Sequence, residues 1–134
     1  YLARGKGETD APSGDRPPAM PSGFPAAQWS LAADLGREYA AVSGDVNPIH
    51  LSALTAKPMG FPQAIAHGMW SYARVMAALG RHASGPVTSH VWFRKPILLP
   101  SRVDLVVDTT GIPNVAGLRS ARRPDVEHLV LTVS

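Results

Sequence analysis

An aspartate and a histidine five positions apart, Asp45 and His50, share one turn-forming stretch, Ser43-Gly44-Asp45-Val46-Asn47-Pro48-Ile49-His50. Both side-chain types serve as general acids and bases, so their presence on one short loop makes a candidate proton-transfer couple. Gly68 follows after an apolar run and stands where a helix should open. The first amides of a helix have no internal partner and carry the positive end of its dipole, so they favour an oxyanion. Glycine also lets a carbonyl oxygen approach the backbone closely. Together these residues make an acid–base site with an anion-binding backbone.

The elements around them must hold that loop still. Ser30 is expected to cap a helix running through Leu31, Leu35, Tyr39 and Val42, with Asp34 near its positive end and Ser43-Gly44 at its close. Asp45 to His50 must be irregular, because Pro48 removes a donor and disfavours helix at Asn47. Residues 51 to 57 can form one or two helical turns before Pro58, Gly60 and Pro62 force a loop. The spacing then predicts a helix over His67 to Arg81, with Met69, Tyr72, Ala73, Met76, Ala77 and Gly80 on one stripe. Trp70, Val75 and Leu79 are apolar as well, so this helix should be wrapped by a sheet. Alternating runs at Val87 to Lys95, Arg102 to Thr110, Val115 to Arg122 and Val126 to Val133 supply the strands. A helical half followed by an antiparallel meander is α+β.

The chain has 134 residues, a length that suits one domain of about 100–200 residues. Residues 1–25 read as a linker or tail of a preceding segment, rich in Pro, Gly, Ser and acidic residues, with Tyr1-Leu2-Ala3 as the end of a strand. The globular domain is expected over 26–134. A start at Tyr1 and an end inside an alternating run suggest a piece of a longer polypeptide. Cysteine is absent, which removes disulfides and thiolate metal sites. No apolar run approaches the ~18 residues of a membrane span, and no signal pattern opens the chain, so a cytoplasmic location is expected. The net charge of +3 is spread over several segments without an aromatic-interleaved basic run, which argues against nucleic acid. It also suits an anionic acyl carrier, while most of the arginines read as ordinary solvated side chains.

The order and spacing of Ser43-Gly44-Asp45-Val46-Asn47-Pro48-Ile49-His50, Ala56, Gly60-Phe61 and Ile65-Ala66-His67-Gly68-Met69 resemble the MaoC-like, (R)-specific enoyl-thioester hydratase family, often called hydratase 2. Val91-Trp92-Phe93-Arg94-Lys95-Pro96 through Leu99-Pro100 also looks like that family's first strand after the helix. The resemblance covers roughly residues 29 to 134. It implies a hot-dog fold, a long central helix wrapped by a curved antiparallel sheet. It also implies pairing with a second hot dog, either a second copy or another half of the same chain, and the Pro-rich amino end fits 26–134 as the second half of a double hot-dog protein. The implied reaction is reversible hydration of a trans-2-enoyl thioester to the (3R)-3-hydroxyacyl thioester, on CoA or acyl carrier protein, without a cofactor.

Such hydration needs a proton taken from water, a proton given to the α-carbon, and charge stabilised on the thioester oxygen. The resemblance assigns the first two to Asp45 and His50 and the third to the Gly68 amide. Asn47 is expected to orient water or the loop, and His67 to be a helix-start or structural residue. Asp45 would need burial to titrate usefully, and Val42, Val46 and Ile49 could provide it. Met59, Phe61, Ile65, Met69 and Trp70 are candidates for an acyl pocket, though each could equally be core. His82, His90 and His128 have no partner pattern. No metal is expected, since the helical His-Glu-x-x-His spacing is missing. A hot-dog acyl-thioesterase and a non-catalytic acyl-binding subunit are the alternatives. The retained Asp45 and His50 disfavour the second of these.

Overall fold

The computed structural model describes residues 17–134. Five strands form one antiparallel sheet in the order β1-β3-β4-β5-β2. They are β1 (Ala27–Leu31), β2 (Ser89–Phe93), β3 (Ser101–Asp108), β4 (Asn114–Ser120) and β5 (Glu127–Val133). Between β1 and β2 lie the helices α1 (Leu35–Ser43), α2 (Ala53–Ala56) and α3 (Gly68–Leu79), with short 3-10 turns around them. β2 to β5 fall where the period-two alternation puts them, because each has one face turned to a common core.

The sheet's inner face carries Val91, Phe93, Val103, Leu105, Ala116, Leu118, Leu129, Leu131 and Val133, and α3 lays Val75 and Leu79 onto it. Apart from Ala116, each of these buried side chains contributes roughly 1.5–3 kcal/mol when fully removed from water. The buried row of α3 is Ser71, Val75 and Leu79, at four-residue spacing. Tyr72 and Met76 pack beside it, whereas Met69, Ala73 and Ala77 from the expected stripe face outward. A helix in a sheet of this topology is the hot dog that the resemblance implies.

Two expectations need correction. Ser30 caps no helix: it lies within β1, which pairs with β3 through Trp29 opposite Val103 and Leu31 opposite Ser101. The helix begins only at Leu35, behind Asp34, whose side chain makes no capping bond. The spacing of Leu31, Leu35 and Tyr39 imitated a helical period, but pairing with a distant strand decided the matter. At its other end α1 stops as expected, with Gly44 in the left-handed region at φ 80° and its N–H on the Ala40 carbonyl. Within the linker-like stretch, Tyr1 to Ala3 lie outside the described residues. Farther along, Met20 sits against Gly117 on the sheet's outer face, and Arg119 donates to the Gly23 carbonyl.

Candidate active site

The loop that carries Asp45 and His50 is built by side chains bonding backbone amides two residues on. Ser43 Oγ accepts from Asp45 N at 3.2 Å, Asp45 Oδ1 from Asn47 N at 3.3 Å, and Asn47 Oδ1 from Ile49 N at 3.2 Å. This is the local chemistry that makes Ser, Asp and Asn turn residues. Asn47 thereby caps the 3-10 turn Pro48–His50. Its side-chain oxygen is spent on the loop itself. Thr55, within α2, adds an Oγ1–H bond to the Pro48 carbonyl at 2.8 Å.

His50 is buried beneath this turn, and its Nδ1 lies 2.7 Å from the Ile65 carbonyl. A carbonyl only accepts, so Nδ1 carries the proton and the neutral ring keeps a bare Nε2. The receiving strand segment is wired on both sides. Ile65 N donates to Ile49 O at 2.8 Å, Ala66 N to Ile97 O at 2.9 Å, and Leu99 N to Ala64 O at 2.8 Å. Burial pulls the His50 pKa below its ordinary 6.5, opposed by the Ile65 hydrogen bond, with His67 lowering it and Asp45 raising it to lesser degrees.

His67 immediately precedes α3 and is only 2% exposed. Its Nε2–H donates to the Asp45 main-chain oxygen at 2.9 Å and lies 3.8 Å from the Asp45 carboxylate. Its ring stacks on His50 with centroids 3.7 Å apart and 25° between planes, and Tyr39 of α1 tilts against its ring, with centroids 4.7 Å apart. One donor atom each from Asp45, His50 and His67 falls within 4.8 Å of the others. Each imidazole has one nitrogen on a backbone carbonyl and a second nitrogen besides, so the trio offers groups that can exchange protons and ligand atoms that could hold a cation.

Gly68 is the first residue of α3, next to His67, so the helix's opening amides lie beside the two imidazoles. Ser71 Oγ donates back to the Gly68 carbonyl at 2.7 Å, which holds this first turn. Sequence reasoning missed Gly36. A Cβ at that position of α1 would overlap the His50 carbonyl oxygen, so the glycine is what lets α1 press directly on the His50 backbone. No local pattern marks it, because the contact spans fourteen positions of chain and appears only on folding.

The surroundings of the carboxylate differ from expectation. Asp45 is 55% exposed, and Val42 and Val46, expected to bury it, are 81% and 63% exposed. The loop overhangs the fold and nothing in the described chain covers it. The five pocket candidates also separate. Ile65 is in the core, Met59 and Met69 are exposed, and Phe61 is half-buried. Trp70 instead lines a groove of about 420 Å³ with Trp29, Leu35 and Arg74, whose guanidinium lies over the Trp29 ring.

Comparison with known proteins follows the same lines. The family model described as a MaoC like domain matches residues 22–128. The 3-hydroxyacyl-thioester dehydratase X of Mycobacterium tuberculosis is 42% identical over 101 residues, covering 75% of this chain and 35% of that protein. The (R)-specific enoyl-CoA hydratase of Rhodospirillum rubrum is 33% identical over 78 residues, covering 55% of this chain and 54% of its own. Among solved structures, HtdX of Mycobacterium tuberculosis superimposes with a TM-score of 0.76 at 39% identity, over 82% of this chain and 47% of that one. The chain thus spans between about a third and about half of these relatives' lengths.

Proposed function

The chain belongs to the MaoC-like domain family, and from that premise we propose that it hydrates a trans-2-enoyl thioester reversibly to the (3R)-3-hydroxyacyl thioester, with CoA or acyl carrier protein as the carrier. The observation that carries this reading is the pairing of a neutral, buried His50 with the Asp45 carboxylate beside the first turn of α3. Its low pKa keeps the His50 Nε2 lone pair available at neutral pH. One water, held between that nitrogen and the carboxylate, is positioned to attack.

The oxygen of that water adds to C3 while one of the two acceptors takes its proton. The double-bond electrons move to the thioester oxygen, where the Gly68 N–H meets the developing charge; removing a donor of this kind typically costs on the order of 10²–10³ in rate. The α-carbon then takes a proton from the same couple, so one H and one OH have been added and the enzyme is unchanged. Both groups approach from one face, which favours syn addition; the (R) configuration is what the likeness to the (R)-specific enoyl-CoA hydratase supports. Water elimination runs the same steps backwards.

A second hot dog completes this site. The overhanging loop leaves Leu54 81% exposed, with Val42, Val46, Met59 and Met69 also outward. Covering that apolar rim would desolvate Asp45 and enclose the acyl chain. The test is the loss of enoyl-thioester absorbance across acyl chain lengths, with chiral analysis of the product. An (R)-3-hydroxyacyl thioester is expected. Release of free thiol with a saturated substrate would replace the hydratase with a thioesterase.

A further inference from the structure

We infer that His67 is a positioning residue of this site, which fixes the Asp45 main chain and the His50 ring relative to each other without touching the reacting atoms. The inference rests on the acid–base reading of Asp45 and His50. Three observations converge on it. The Nε2–H bond to the Asp45 carbonyl ties the carboxylate-bearing residue to the entry of α3 across 22 positions of chain. The His67 ring lies flat against the His50 ring, with centroids 3.7 Å apart and 25° between planes. Its other nitrogen, Nδ1, is buried with no hydrogen-bond partner among the described residues, which an ordinary structural histidine would avoid.

That unpartnered nitrogen says why a histidine stands here. An apolar ring would stack as well but could not hold the Asp45 carbonyl, and an amide side chain could hold the carbonyl but could not stack. Only imidazole does both in this space, at the expense of one idle buried acceptor. Because Gly68 is the next residue, the same side chain also fixes where the helix amide lies relative to the couple. Misplacing reacting groups by about 1 Å can cost roughly 10² in rate.

The test separates the two halves of this argument with His67→Phe, which keeps the ring, and His67→Gln, which keeps a donor for the Asp45 carbonyl. Thermal melting and steady-state hydration are measured on the whole chain. The expected result for His67→Phe is a kcat reduced about 10²-fold, with KM within about threefold of wild type and a melting midpoint close to it. His67→Gln should recover about tenfold of that loss. The groups facing His50 are Asp45 on its own loop and His67 at α3, with Tyr39 of α1 behind His67. Removing the His67 contribution should therefore raise the His50 titration, followed by NMR of its ring protons, and carry the acid limb of kcat to higher pH.

Wild-type kcat and an unmoved His50 titration in His67→Phe would overturn the proposal. So would equal losses in both variants that track a fall in melting midpoint, since that is the signature of packing alone. If the wild-type chain shows no hydration at all, the proposed reaction fails, while the His50 titration still decides whether His67 positions that ring.

Discussion

His50 and His128 share a local design. Each is buried, each places Nδ1 against a backbone carbonyl, Ile65 at 2.7 Å and Lys95 at 3.0 Å, and burial is the largest influence pulling each pKa down. They differ in what surrounds the ring. His128 stands on β5, and the groups that oppose its burial are the backbone of Lys95 and Pro96. His50 stands on a turn held by side chains, with a carboxylate and a second imidazole beside it. Burial and a fixed tautomer are therefore not what sets His50 apart. In the proposed reaction, a neighbour that can share a water is.

The largest effect should come from breaking the reactive member of this comparison. Asp45→Asn and His50→Ala are each expected to lower enoyl-thioester hydration by about 10²–10⁴ with the far-ultraviolet spectrum unchanged. Turnover near wild type in either would leave the loop as a turn and nothing more.

Next in size is a change that leaves both groups in place and moves the ground beneath one. Gly36→Ala drives a methyl into the His50 carbonyl, so α1 or the turn must shift. We expect about 10²-fold lower kcat and a stability loss of about 1–3 kcal/mol, read by hydration assays and urea unfolding. An unchanged rate would show that α1 does not set the His50 position.

The smallest catalytic effect belongs to His128. His128→Leu strands the Lys95 carbonyl and should cost about 1–3 kcal/mol of stability while hydration stays near wild type. The same variant sharpens the comparison through pH. Both histidines have folded pKa values below 6.5, so the unfolded chain binds more protons and stability rises with pH. Their contribution is full above about pH 6.5 and is lost as pH falls from there towards the folded values. Melting midpoints between pH 7 and 5 should therefore fall less steeply in His128→Leu than in the parent. An identical slope would place the protons elsewhere.

How far these regions could be read from residues alone follows from the range of the interactions that build them. β2 to β5 were legible because inward and outward side chains alternate within each strand, a property of a few neighbouring residues. The turn from Ser43 to His50 was legible for the same reason, since the three side-chain-to-amide bonds that shape it each span two positions. β1 was not, because Trp29 and Leu31 become strand residues only by pairing with Val103 and Ser101. His67 does stand at the helix start, as expected, but its bond to Asp45 spans 22 positions and no local pattern marks it. Gly36 carried no mark at all. The exposure of Val42 and Val46 was hidden for a further reason: an apolar residue in sequence does not say whether its cover comes from the same chain.

The wiring of residues 64–66 has a mechanical consequence. Ile65 takes the His50 proton on its carbonyl and the Ile49 carbonyl on its amide, while its neighbours are bonded to Ile97 and Leu99, both sunk in the core. The imidazole is thus mounted on a rail whose far edge is the connection between two sheet strands. Trimming a methylene at Ile97 or Leu99 would let that rail settle and retune the angle of the His50 ring from well below it. Divergence at these interior positions is a route by which this scaffold could adjust its pace while every polar group stays the same.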